Sequence, residues 1–203
     1  MKKILTIIIL SAVLLYSVWL YRDANALVIM GAYYGSCTPS LMQALNTDAT
    51  NTTPIGLDND DDYQYGVTNF TASSSYQIWS VTVGLKEVNT VEGNVYAKLF
   101  ADDGAGDDPG TLLGTSSAID AAGIGTEIAD IEFTFTEGLR PSLTNGVVYH
   151  VGIYIDALHA TDYLHLIYSS SGSLVNHRGT AGQFWVGLDD SSETRISLYG
   201  CAL

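Results

Sequence analysis

Three sets of side chains in this chain have the types that bind metal ions. The densest is Asp58-Asn59-Asp60-Asp61-Asp62, whose alternate carboxylates at Asp58, Asp60 and Asp62 suit a hard cation such as Ca²⁺, a taker of oxygen ligands. The run departs from the EF-hand loop, with Tyr63 where that loop needs Gly and Asn69 where it needs a bidentate Glu, and its other reading is a solvated acidic loop. Asp102, Asp103, Asp107 and Asp108 surround Gly104 and Gly106, a composition that serves either a cation or the geometry of a turn. Asp156, His159, Asp162 and His165 recur every third residue, so only a helix or a compact turn would aim them at one transition metal.

For catalysis the residue types are poor. There is no Gly-x-Ser-x-Gly elbow, and the acidic residues cluster in turn-like stretches rather than in strands, where paired carboxylates would face one another. The expectation is a protein without enzymatic activity, with a polysaccharide hydrolase as the one enzyme class left open. Binding has better candidates, because Tyr and Trp offer flat faces to sugar rings and apolar area to partners. Trp79 and Tyr149 fall in the apolar phase of their segments and read as core. Tyr154 falls in the opposite phase, as does His150, and Trp185 follows the Gly-bearing stretch Ala181-Gly182, so Tyr154, His150 and Trp185 are the candidate ligand-binding residues.

The elements that must position these residues are strands. Trp79, Val81, Val83 and Leu85 alternate with Ser80, Thr82 and Gly84; Ile131, Phe133 and Phe135 alternate with Glu132, Thr134 and Thr136. The longest such face is Val147, Tyr149, Val151, Ile153 and Ile155. Further strands are expected over 63–70, 94–100, 112–116, 163–169, 184–188 and 196–201, giving about nine in all. Turn chemistry separates them, most sharply at Asn145-Gly146, which predicts a tight turn leading into the longest strand. The polar stretch 38–53 has Leu41, Met42 and Leu45 as its main apolar members and is read as holding one short helix. With no sustained helical period anywhere, the fold class is all-β, an antiparallel β-sandwich of jelly-roll or Greek-key type.

The first 26 residues set the compartment. Lys2 and Lys3 precede an uncharged apolar run, Ile4 to Leu20, and Ala24-Asn25-Ala26 has the small-x-small form of a cleavage site, so residues 1–26 read as a signal peptide, with a retained N-terminal anchor as the alternative. Residues 27–203 then form a single domain, secreted or held at the cell surface. The whole chain carries a net charge of −14, and loss of Lys2, Lys3, Arg22 and Asp23 makes it −16. Such a surface repels phosphate backbones, which excludes nucleic acid as a partner. Membrane contact is expected only through an uncleaved leader. Cys37 and Cys201 are the only cysteines, and in an oxidising compartment they are expected to pair, the alternatives being free thiols or an intermolecular link.

Several segments together resemble the bacterial extracellular β-sandwich modules called choice-of-anchor domains. They are Phe70-Thr71 followed by a Ser-rich turn and the strand from Tyr76 to Val83; Val95 to Gly104 leading into Pro109-Gly110-Thr111-Leu112-Leu113; Phe133-Thr134-Phe135 before Leu139, Leu143, Asn145-Gly146 and Tyr149; and the closing Ile196-Ser197-Leu198-Tyr199-Gly200. The resemblance implies a secreted, non-enzymatic surface module. The family's C-terminal sorting signal has no counterpart in Gly200-Cys201-Ala202-Leu203. The functional expectation is a non-catalytic surface or adhesion module that binds glycan or another extracellular ligand such as a surface protein, with Ca²⁺ as a structural ion. The alternative is a structural subunit that self-assembles into a filament, coat or envelope layer.

Overall fold

Period-two burial is the organising pattern of the computed structural model, which describes residues 37–55, 65–104, 108–157, 161–169, 176–179, 185–189 and 193–203. The leader, residues 1–26, lies outside the described residues. The chain divides into Met1–Thr38 and Pro39–Leu203, and the strands among the described residues belong to the second unit.

The strands, in chain order, are β1 (Ser40–Leu45), β2 (Asn51–Ile55), β3 (Tyr65–Thr71), β4 (Tyr76–Val88), β5 (Asn94–Asp102), β6 (Pro109–Thr115), β7 (Ile119–Asp120), β8 (Ala129–Thr134), β9 (Ser142–Leu143), β10 (Val148–Ile155), β11 (Tyr163–Ser169), β12 (Asn176–Gly179), β13 (Trp185–Asp189), β14 (Glu193–Thr194) and β15 (Ile196–Ala202). Among the described residues the only helical element is a single 3-10 turn, Ala121–Gly123, capped by the Asp120 carboxylate accepting from the Ala122 N–H. Each of the nine expected strands is present. The segment 38–53 holds β1 and the start of β2 instead of the expected short helix. Pairing decides this, since β1 lies antiparallel to β15 with Ser40 opposite Gly200, and cross-strand hydrogen bonding outweighs the weak local preference of a Thr- and Asn-rich segment.

Two antiparallel sheets make a sandwich. The larger, of eight strands, is ordered β1-β15-β4-β11-β14, with β2 on β11 and both β8 and β9 on β4; the smaller, of seven, is ordered β13-β12-β3-β10-β5-β6, with β7 on β5. Between them lies one apolar core, built from Ile78, Val81, Val83, Leu85, Phe133, Leu166 and Leu198 of the larger sheet and Phe70, Val95, Leu99, Tyr149, Val151 and Ile153 of the smaller. The Asn145-Gly146 turn forms as expected, with Gly146 at φ +76° and the Val147 N–H donating to the Thr144 carbonyl at 3.2 Å. It carries the chain from β9 in the larger sheet to β10 in the smaller. Cys37 and Cys201 are both disulfide-bonded.

Candidate functional site

The outer face of the smaller sheet is set by the register of its central strands. Tyr96 of β5 sits opposite Tyr154 of β10, Tyr154 opposite Tyr65 of β3, Tyr65 opposite Gly179 of β12, and Gly179 opposite Trp185 of β13. Directly opposed residues share a face of a sheet, so four aromatic positions form one rank across the strands, about 4.8 Å apart at each strand step. Tyr96 and Tyr154 are half-buried, with ring centroids 6.0 Å apart. The Lys98 ammonium lies 3.7 Å from the Tyr154 ring centroid, in the range of a cation–π contact, and burial holds its pKa below the ordinary lysine value.

Tyr96 is fixed from its polar end. Asp156 accepts from the Asn94 backbone N–H at 2.7 Å and from the Asn94 side-chain amide at 3.1 Å, and the Tyr96 hydroxyl donates to it as well. The Asn94 backbone bond is the main reason its carboxyl titrates below the usual carboxylate range, despite the opposing effect of burial. With its oxygens so engaged, Asp156 anchors a tyrosine. His165 belongs to β11 of the larger sheet, where it sits edge-on to Tyr163, while Asp156 follows the end of β10 in the smaller sheet and His159 lies outside the described residues.

His150, expected as a ligand-binding neighbour of Tyr154, is fully buried. Its outward phase is right, but its Nε2–H donates to Asp102 at 2.9 Å and it takes part in holding the sheet. Asp102 in turn accepts from the Gly104 N–H at 3.0 Å through its other oxygen. The His150 bond is the main reason its carboxyl sits below the usual range; burial opposes it and the Gly104 bond adds to it. Asp103 closes the same hairpin through its backbone, donating its N–H to the Asp108 carbonyl at 3.0 Å. Asp107, Asp58, Asp60 and Asp62 lie outside the described residues, and among the described residues no three His, Cys, Asp or Glu side chains come together as a metal site. Trp185 is placed by its strand register alone.

Trp79 departs from the alternation that assigned it to the core. It is half-buried and outside the core cluster, whereas Val81, Val83 and Leu85 are fully buried within it. The cause is an irregularity between β4 and β15: Tyr199 pairs with Ser80 and Gly200 with Ile78, leaving Trp79 as the extra residue of β4. An extra residue of this kind shifts the phase of the pleat and re-aims its side chain. Gly200 permits it, since a Cβ there would lie 2.2 Å from the Gln77 carbonyl oxygen. The indole is stacked by the Arg140 guanidinium, 3.4 Å from the ring centroid, and the Arg140 Nε–H donates to the Phe135 carbonyl at 3.4 Å. The sequence signal for this arrangement is the glycine of Tyr199-Gly200-Cys201 inside an otherwise alternating strand, a mark of a bulge or a close backbone approach.

Compared with protein-family models and with curated proteins, the chain matches none.

Proposed function

We propose that residues 27–203 form a secreted, non-catalytic surface module that binds an extracellular glycan across the outer face of the smaller sheet. The observation that carries this is the rank Tyr96, Tyr154, Tyr65 and Trp185, with the hydroxyl of Tyr96 pinned by Asp156 and Lys98 resting on Tyr154. A rank of aromatic positions running across strands suits an extended chain of neutral sugar rings, and the rings of Tyr96 and Tyr154, already fixed, lose little freedom on binding. The resemblance to choice-of-anchor modules and the leader-like first 26 residues support the extracellular setting, and a disulfide is at home there. A glycan microarray probed with the wild type and Tyr154→Ala tests it. Binding by the wild type and its loss in the variant is the expected outcome; a folded wild type that binds no glycan overturns the reading.

A second reading, self-assembly, is favoured by β6. This strand ends the smaller sheet, has no charged residue, and exposes Leu112 and Leu113 at 47% and 39%. An uncharged edge of this kind is open to pairing with another strand. Size-exclusion chromatography over a range of concentrations separates the two, since assembly through β6 gives concentration-dependent larger species that Leu113→Lys abolishes.

A further inference from the structure

The outer face of the larger sheet carries a groove of about 240 Å³ lined by Pro39, Trp79, Ser80, Glu132, Thr134 and Tyr199. Its floor is one cross-strand rank, Thr134 of β8 opposite Ser80 of β4 and Ser80 opposite Tyr199 of β15, with the extra residue Trp79 beside it. We propose that this groove is a second ligand site, which holds a single neutral pyranose unit. It stands on residues other than those of the aromatic rank, on the opposite face of the sandwich.

Charge, size and polarity each narrow the ligand. An anion would meet the Glu132 carboxylate on a chain of net charge −14. A cation would have to share an indole π-system already engaged by the Arg140 guanidinium. What remains is a neutral ligand with an apolar face. The volume lies below the roughly 300–1,000 Å³ of sites for drug-sized molecules, which fits one small ring rather than an oligosaccharide. Among the described residues the Trp79 Nε1–H is buried and makes no hydrogen bond, an uncommon condition for a buried donor. The hydroxyls of Thr134, Ser80 and Tyr199 both donate and accept, and the Glu132 carboxylate accepts only. A sugar ring answers this array: its hydroxyls both donate and accept, and its C–H face packs on an aromatic ring. Among the described residues Glu132 is the one carboxylate on the lining, so the proposed role there is binding the ring, not the carboxylate-pair chemistry of glycoside hydrolysis.

Saturation-transfer NMR titrations test this, with the methyl glycosides of glucose, galactose, mannose and N-acetylglucosamine as probes against the wild type, Trp79→Ala, Glu132→Ala and Tyr154→Ala. At least one glycoside is expected to bind the wild type, about tenfold more weakly to Trp79→Ala and to Glu132→Ala, and unchanged to Tyr154→Ala. Glu132 is exposed, so its variant keeps the fold even if Trp79→Ala does not. The inference is overturned if no glycoside binds the wild type, or if Glu132→Ala binds as tightly as the wild type. Binding lost in Tyr154→Ala and undiminished in Glu132→Ala also overturns it, while leaving the aromatic rank as the glycan surface.

Discussion

The two outer faces of this sandwich present aromatic rings by opposite means. On the smaller sheet the register of β10 with β5 and β3 runs without a break: Tyr96 and Tyr154 occupy matched positions of β5 and β10, and a hydroxyl–carboxylate bond and a lysine fix them. On the larger sheet the pairing of β4 with β15 is broken, where Gly200 lets β15 close onto Gln77 and Trp79 leaves the core phase to stack under Arg140. The unbroken register lines Tyr96 up with Tyr154, and the broken one leaves a groove beside Trp79. The inner faces need no such distinction, because apolar packing sets both.

The strongest way to break this contrast is Gly200→Ala. Its Cβ would collide with backbone, which cannot yield as a side-chain tip does, so a loss of about 3 kcal/mol is expected in urea unfolding with an unchanged m-value. A loss below about 0.5 kcal/mol would mean that the irregularity does not need glycine.

Next in size is Asp102→Asn, which weakens the bond to a fully buried His150 and should cost about 1–3 kcal/mol. The pH dependence gives a separate check. The Asp102 carboxyl is held below its ordinary value, so the stability it contributes is complete at neutral pH, above the unfolded-state pKa of about 3.9, and is lost as pH falls through the lower folded value. Thermal melts from pH 7 downward should show a shallower acid-side loss in the variant than in the wild type; parallel profiles would show that the Asp102 bond is not the source.

Smaller effects separate the two faces directly. Arg140→Ala removes the guanidinium from the indole and should cost about 1 kcal/mol while shifting tryptophan emission. Lys98→Ala, on the opposite face, should cost about 0.5–1 kcal/mol and leave that emission unchanged. Equal emission changes in both variants would erase the distinction between the two faces.

Much of the architecture is legible in the chain because strands with one buried face write their period into it. Val81, Val83 and Leu85, or Val151, Ile153 and Ile155, can be assigned to a core by parity alone, and Asn145-Gly146 by turn chemistry. Parity fails at Trp79 because one extra residue moves everything on its far side out of phase, and nothing local to Trp79 announces it. The announcing residue is Gly200, more than a hundred positions away. Parity also places His150 correctly on the outer side of its strand, yet says nothing of its burial or of its bond to Asp102, since the partner belongs to a neighbouring strand. The segment 38–53 looks helical in isolation for a related reason. Its strand β1 is defined by β15, at the other end of the chain.

Affinity electrophoresis in native gels cast with soluble polysaccharides tests the glycan-binding surface most directly, because it needs neither immobilised ligand nor labelled protein. The wild type should be retarded by at least one polysaccharide, with mobility restored in Tyr154→Ala and in Tyr96→Ala. Identical mobility of the folded wild type with and without every polysaccharide, or retardation untouched by both substitutions, would contradict a ligand face on the smaller sheet.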